Sequence, residues 1–164
     1  MCDTSKLLKA RDQVRELTAK LAELEQPPKP DTTLLSMPSA DVKTELDALS
    51  QQLMYPCLLD SGQNYYYTNS EGWAEVFNYI YTVFKMPTWV AARFDCEDSG
   101  ILLKGLVSAL FGLNYFALTI GDIPEGTHGF NFFRTEQGHL IIEPQTAEFF
   151  GWEEKSYSPK FALL

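Results

Sequence analysis

The chain has 164 residues, of which 45% are apolar, enough for one compact domain with a sizeable core and a short extension. Its net charge is −9, from 22 acidic and 13 basic residues, which argues against a nucleic-acid-binding surface because phosphate binding needs clustered lysine and arginine. No apolar run reaches the ~20 residues of a membrane span, and residues 1–6 lack the apolar segment of a secretory signal.

The three cysteines are few and far apart in the sequence. Cys2, Cys57 and Cys96 are an odd set without the CxxC spacing of a metal site, so no disulfide framework is predicted. Free thiols of this kind indicate synthesis in the reducing cytoplasm. A protein carried in a virus particle would have the same composition, so association with a virion stays open beside it.

Residues 1–26 show the pattern of a coiled-coil helix. Apolar residues recur there at alternating spacings of three and four, with charged residues between them. They are Leu7, Ala10, Val14, Leu17, Leu21 and Leu24. We therefore predict a homo-oligomer, or contact with an assembly partner, through residues 4–25. A single amphipathic helix packed on the following domain is the alternative.

A proline-rich stretch separates this helix from the rest of the chain. Three prolines at the start of residues 27–40 cannot continue a helix, and this range is predicted to be an extended linker. Residues 41–54 predict a second amphipathic helix, capped by Asp41, which either extends the oligomer or covers the domain. The remaining residues, 55–164, are predicted to form the main domain.

Two helices are predicted in this domain. From a capping-box sequence at Thr68, aromatic and aliphatic residues recur at helical spacing as far as Phe84, which indicates a core helix rather than a cofactor site. A broadly apolar pattern predicts a second, buried helix from Cys96 to Phe111, ended by Gly112.

Three strands are predicted to follow. Tyr115–Ile120 is typical of a strand, and residues 121–126 are predicted to be a loop. Thr127–Arg134 and His139–Glu143 then predict a hairpin around the turn at residues 135–138.

A cysteine, a histidine and a glutamate stand in an order typical of a nucleophilic thiol site. Cys96 opens a helix, where the dipole and the free N–H groups favour a thiolate. Pairing across the hairpin brings His128 and Glu143 within a residue or so of each other, close enough for an imidazole–carboxylate hydrogen bond. Glu97 and Asp98 oppose a low thiol pKa, so the imidazole must supply more of the activation.

The other histidine and the other internal cysteine are weaker candidates. His139 lies about 13 Å along a strand from Glu143 and, beside the turn, is expected to be exposed. Cys57 has no polar surroundings in the sequence and is predicted to belong to the core.

Two other interpretations compete with the thiol site. An isolated cysteine is usually an inert buried side chain, and an isolated histidine or glutamate usually carries no chemistry. The second interpretation is a metal site, although no HExxH or EF-hand pattern is present. A zinc site is disfavoured, and calcium bound near Asp98, Asp122 or Glu125 stays open.

Three segments around these residues resemble a known family. Phe94–Asp98 with the leucine-rich helix after it, His128–Asn131 and Leu140–Thr146 resemble the papain-like cysteine protease domain of the Marasmius oreades agglutinin type, which has phage-encoded relatives. More distantly, they are similar to transglutaminase-like domains. The resemblance covers roughly residues 89–152, under half of the chain.

This resemblance implies a fold and a set of roles. The fold is α+β, papain- or transglutaminase-like, with the cysteine at a helix start and an antiparallel sheet carrying the histidine and the glutamate. Cys96 is implied as nucleophile, His128 as base and Glu143 as the orienting acid. The resemblance also implies that calcium could be required and that the substrate is a peptide or protein.

These observations predict a cysteine hydrolase that acts on peptide or amide bonds through a Cys-His-Glu triad. One alternative is a structural or adaptor component of an assembly, such as a phage particle, that retains a hydrolase-like fold. A second is transglutaminase-type acyl transfer to an amine.

Overall fold

The computed structural model describes residues 29–49, 55–58, 63–91, 93–151 and 156–164. The helices of this part are α1 (Ser39–Ala48), α2 (Ser70–Phe84) and α3 (Cys96–Phe111). The strands are β1 (Leu35–Pro38), β2 (Tyr55–Cys57), β3 (Asn64–Tyr67), β4 (Phe116–Ile123), β5 (Gly126–Thr135), β6 (Gly138–Glu143), β7 (Glu148–Gly151) and β8 (Ser158–Leu163). The predicted α+β class is confirmed, whereas the predicted coiled coil lies outside the described residues.

A six-stranded sheet in the order β2-β8-β4-β5-β6-β7 organises the domain. Strand β2 pairs in parallel with β8, and the other neighbours are antiparallel. Strands β4 and β5 form a long hairpin whose ladder runs to the pair Ile123 and Gly126. The prediction of a loop over residues 121–126 is therefore wrong for residues 121–123, which belong to β4. The turn needs only residues 124 and 125, because Gly126 adopts a φ of 139° that few other residues tolerate.

The sheet has a hydrophobic cluster on each face. Successive side chains of a strand point to opposite faces, so Phe130 and Phe132 of β5 belong to one cluster and Phe133 to the other. Helix α1 contributes Val42 and Leu46 to the first cluster, and α2 and α3 fill the second. The second cluster consists of Trp73, Val76, Phe77, Ile80, Leu103, Val107, Phe111, Leu113, Phe116, Phe133 and Ile142.

Helix α1 covers the domain along its described length. Val42 and Leu46, on the apolar face of this helix, are fully buried against the sheet. The helix begins at Ser39, directly after Pro38, so the prediction that Asp41 caps it is wrong. The strand β1, within the segment predicted as a linker, pairs antiparallel with β3.

Helices α2 and α3 match their predicted spans closely. Helix α2 is capped by Asn69, whose side chain accepts a hydrogen bond from the Gly72 N–H at 2.8 Å, and not by Thr68. Helix α3 runs from Cys96 to Phe111 as predicted and ends at Gly112, which has a left-handed φ of 68°. None of the helices in the described part of the chain is long and apolar enough to cross a membrane.

Candidate functional site

Helix α3 begins at the cysteine singled out from the sequence. Asp95 is the N-cap residue, and its backbone N–H donates to the Asp98 carboxylate at 3.3 Å. Cys96 is thus the first residue of the helix, beside the N–H groups that have no partner within a first turn. The thiol is half-buried and forms no disulfide.

Strand β5 presses against this helix start at a glycine. A Cβ placed on Gly129 would lie 2.8 Å from the backbone nitrogen of Glu97 and 3.0 Å from the carbonyl carbon of Cys96. Only a residue without a side chain permits so close an approach of the strand to the helix. The backbone of Gly129 also lies close enough to the sulfur to act towards a lower pKa of the Cys96 thiol. Cys96 therefore lies against the residue that follows His128.

His128 and Glu143 form a short, sheltered hydrogen bond. The His128 Nε2 atom lies 2.6 Å from Glu143 Oε2, and the two side chains are only 16% and 11% exposed. Tyr157 donates a second hydrogen bond to the same oxygen at 3.4 Å, and its ring stands edge-on to the imidazole. The contact predicted from the hairpin is present because both side chains lie on the same face of adjacent strands.

The surroundings of the thiol oppose its ionisation. Burial raises the pKa of the Cys96 thiol, and a hydrogen bond from its sulfur to Glu97 Oε2 at 3.1 Å raises the pKa further. The opposing effect predicted for Glu97 is thus larger than the favourable effect predicted for the helix start. The adjacent carboxylate favours the uncharged thiol and outweighs the backbone N–H groups, which act in the opposite direction.

Glu97 interacts with both the Cys96 thiol and the His128 ring. The hydrogen bond from the thiol lowers the pKa of Glu97, and the charge of His128 lowers it further. Among the described residues, no hydrogen bond joins the Cys96 thiol to the His128 ring. The structure thus brings His128 and Glu143 into contact and packs Cys96 against Gly129, the residue after His128, with the thiol bonded to Glu97.

The second histidine belongs to a buried polar cluster elsewhere on the sheet. His139 Nε2 lies 2.9 Å from the Tyr115 hydroxyl and 3.5 Å from a Glu45 carboxylate oxygen, and Arg134 also donates to Glu45. Burial lowers the pKa of His139 to about 4. The expectation of an exposed His139 is wrong, because α1 folds over this strand and brings Glu45 to it.

Two residues near the site were not singled out from the sequence. Asn131 is fully buried and donates from Nδ2 to the carbonyl oxygens of Gly100 at 3.1 Å and Ala117 at 2.9 Å. The only sequence signal was its polar side chain within an otherwise apolar strand. Tyr157 gave no signal, because it reaches Glu143 only through the pairing of β8 with β4.

The described residues offer no ready-made metal site. No three histidine, cysteine, aspartate or glutamate side chains converge there to hold an ion. Of the carboxylates considered for calcium, Asp98 caps α3 and Asp122 pairs with Lys160. Calcium stays a prediction from the sequence.

The chain is similar in fold to solved structures of a lectin from Polyporus squamosus. One, titled "PSL1a-E64 complex", has a TM-score of 0.64 at 23% identity and aligns with 79% of this chain. Another, titled as the Polyporus squamosus lectin bound to the human-type influenza-binding epitope Neu5Acα2-6Galβ1-4GlcNAc, has a TM-score of 0.65 at 21% identity and the same coverage. The chain spans 50% of the length of each of these neighbours. No family model matches the sequence, and no curated protein matches it either.

These neighbours overturn the assignment made from resemblance. The matching structures are those of a lectin and are not titled as papain-like proteases, so the prediction of a papain- or transglutaminase-like family is wrong. The prediction of a cysteine hydrolase, which rested on that family, is also wrong. These structures give no support to the two alternatives, a component of a phage particle and transglutaminase-type acyl transfer. At these identities the likeness shows the fold alone.

Proposed function

We propose that the chain carries a reactive-thiol site, with Cys96 as nucleophile, His128 as its base and Glu143 as the group that orients the imidazole. The observation that carries this proposal is the sheltered 2.6 Å hydrogen bond between His128 and Glu143, formed one residue from Gly129, on which the start of α3 packs. A histidine positioned by a carboxylate next to a cysteine is an arrangement that activates a thiol.

The proposed chemistry follows from the hydrogen bonds of the ring. Because Nε2 is bonded to Glu143, the imidazole tautomer with its proton on Nε2 is favoured, and Nδ1 remains as the basic atom. In the proposed step the thiol leaves Glu97 and passes its proton to Nδ1. The sulfur then attacks an electrophilic carbon, a sulfur–carbon bond forms, and the leaving group departs with its electron pair.

One structural neighbour offers a small molecule with which to test the proposed site. The structure of the neighbour at 23% identity is titled as a complex with E64. The same small molecule is therefore a suitable probe for Cys96 in this chain.

Alkylation of the folded protein tests the proposal, with Cys57 as an internal control. Cys57 is also free and half-buried, so unfolding or general exposure would raise the labelling of both residues. We expect iodoacetamide and E64 to modify Cys96 at least about tenfold faster than Cys57 at pH 7.5. Peptide mapping by mass spectrometry gives the two rates separately.

The variants His128→Ala and Glu143→Gln identify the base and the orienting group. We expect His128→Ala to lower the Cys96 rate about tenfold or more, and Glu143→Gln to lower it by less, with the Cys57 rate unchanged. Equal rates for the two cysteines in the native chain, or a Cys96 rate that does not depend on His128, would overturn the proposal.

Binding of a glycan is a second candidate, favoured by the ligand bound in the structure of the other neighbour. That ligand belongs to the whole lectin, of which this chain spans half. The described part of this chain has an exposed indole, Trp89, that is 52% accessible and could stack on a sugar ring.

Calorimetry with the sialylated trisaccharide Neu5Acα2-6Galβ1-4GlcNAc, and with Galβ1-4GlcNAc as control, tests this candidate. We expect saturable binding of the trisaccharide that weakens at least about threefold in Trp89→Ala. The matched control is Phe84→Ala, which removes another exposed aromatic ring. Absence of binding at millimolar trisaccharide would exclude this candidate without affecting the thiol site.

Self-association remains a proposal that rests on the heptad spacing of residues 4–25 alone. Light scattering of the full chain and of a chain lacking residues 1–30 tests it. We expect an oligomer for the first and a monomer for the second, and a monomer in both would refute it.

A further inference from the structure

We propose that Asn131 is a positioning residue for Cys96, whose side-chain amide holds the first turns of α3 at a fixed distance from strand β5. This inference rests on the proposed reactive-thiol site and deepens it. It concerns how the fold holds the start of α3, with its thiol, against strand β5, which carries His128, since these two groups come from different elements of the chain.

The amide of Asn131 ties three elements together inside the core. Its Nδ2 atom donates to the carbonyl oxygen of Gly100, one turn after Cys96 on α3, and to the carbonyl oxygen of Ala117 on β4. Asn131 itself lies on β5 and has no solvent-accessible surface. Both hydrogen bonds are therefore shielded from water. Hydrogen bonds are stronger in the low dielectric of a protein interior than in water.

The unpaired oxygen of this amide shows how specific the arrangement is. Within the described residues, Asn131 Oδ1 is buried without a hydrogen-bond partner, which is an unfavourable state for a polar atom. A leucine of similar size would avoid this cost but could not donate to either carbonyl group. The donor contacts of the amide are thus the property that a leucine cannot replace.

Glycines on both elements make the contact close. Gly129 lies two residues before Asn131, on the same face of β5, and permits the strand to touch the backbone of Cys96 and Glu97. On the helix side, a Cβ on Gly100 would lie 2.7 Å from Leu118 Cδ1 and 3.4 Å from Asn131 Oδ1. The helix start is therefore in van der Waals contact at Gly129 and hydrogen-bonded one turn later at Asn131.

A second, half-buried donor joins α3 to the sheet farther along the helix. Lys104 Nζ donates to the carbonyl oxygen of Phe116 on β4 at 2.7 Å. This bond is made two turns after Cys96, so it keeps α3 on the sheet when the Asn131 contact is removed. Loss of the amide should then shift the helix start without detaching the whole helix.

The variant Asn131→Leu tests this role, with Thr119→Val as the matched control. Thr119 is also fully buried in the sheet, and its hydroxyl has no partner among the described residues, so the control removes a polar atom but no tie to α3. We expect Asn131→Leu to change the ratio of Cys96 to Cys57 alkylation rates at least about threefold and to shift the midpoint of the Cys96 pH–rate profile by roughly half a unit. Thr119→Val should change neither quantity.

Hydrogen exchange separates this inference from the proposed function. We expect faster amide exchange in the first two turns of α3 in Asn131→Leu, with the end of the helix unchanged, and this readout does not depend on thiol reactivity. If the alkylation rate of Cys96 does not depend on His128, the reactive-thiol proposal fails. The exchange result still shows whether Asn131 holds the first turns of α3 against β5. An Asn131→Leu protein that is less stable but keeps the native rate ratio, pH profile and exchange pattern would overturn the inference.

Discussion

The Glu97 carboxylate accepts a hydrogen bond from the Cys96 thiol at 3.1 Å, within the same helical turn. This contact opposes ionisation of the sulfur, although the sulfur stands where a helix usually favours a negative charge. Glu97 therefore favours the uncharged thiol over the thiolate at Cys96. A substitution of Glu97 should directly alter the reactivity of this sulfur.

Glu97→Gln should make Cys96 react faster at neutral pH. Removing the negative charge lowers the thiol pKa, and below that pKa each unit of decrease raises the thiolate fraction tenfold. We expect the iodoacetamide rate of Cys96 at pH 7 to rise about three- to tenfold, with the pH–rate profile moved to lower pH. Glu75→Gln on the exposed side of α2 is the control and should leave the rate unchanged. A rate that falls in Glu97→Gln would contradict this account of the thiol.

Gly129→Ala should destabilise the fold, whereas Gly105→Ala should not. The new methyl group at position 129 meets backbone atoms of α3, which can move away only if the helix shifts, and overpacking of this kind costs about 1–3 kcal/mol. At Gly105, an exposed helical position with no atom near its Cβ site, alanine should add up to about 1 kcal/mol of stability. Urea unfolding of both variants measures the two changes in unfolding free energy. Equal changes would refute the close contact between Gly129 on β5 and the start of α3.

The cap of α2 can be tested with two neighbouring residues. Asn69→Ala removes the side chain that accepts from the Gly72 N–H and should cost about 1 kcal/mol of unfolding free energy. Thr68→Val removes a buried hydroxyl that has no partner in the described structure, so it should be neutral or slightly stabilising. Thermal unfolding distinguishes them, and a larger loss for Thr68→Val would restore the sequence-based assignment of the cap.

His139 should make the protein less stable in mild acid. Its pKa in the fold is about 4, below the ordinary value of 6.5, so between these values the unfolded chain binds a proton that the native chain does not. Stability therefore falls as the pH is lowered from 6.5 towards 4, by an amount on the order of 2 kcal/mol. In His139→Gln, which cannot gain this charge, urea midpoints at pH 4.5 and 7 should differ less than in the native chain. An unchanged difference would show that His139 does not contribute to the loss.

Local pattern was sufficient for the elements whose signals lie within a few residues. Helix α3 begins at Cys96 and ends before Gly112, as its apolar pattern and its terminal glycine predicted. The hairpin that unites His128 with Glu143 also followed from a turn and its alternating strands. The class of the fold was predictable for the same reason, because helical and strand periods differ.

Contacts between distant segments decided the rest. The sequence predicted an exposed His139, and for the Cys96 thiol it predicted opposing effects of the helix start and of Glu97 without deciding between them. Instead, α1 brings Glu45 over His139, and burial together with a side-chain contact raises the pKa of Cys96. Burial and hydrogen-bond partners depend on which elements pack together, and the periodicity of one segment carries no information about its neighbours. The roles of Asn131 and Tyr157 likewise arise only where α3, β4, β5 and β8 meet, so the tertiary structure alone could reveal them.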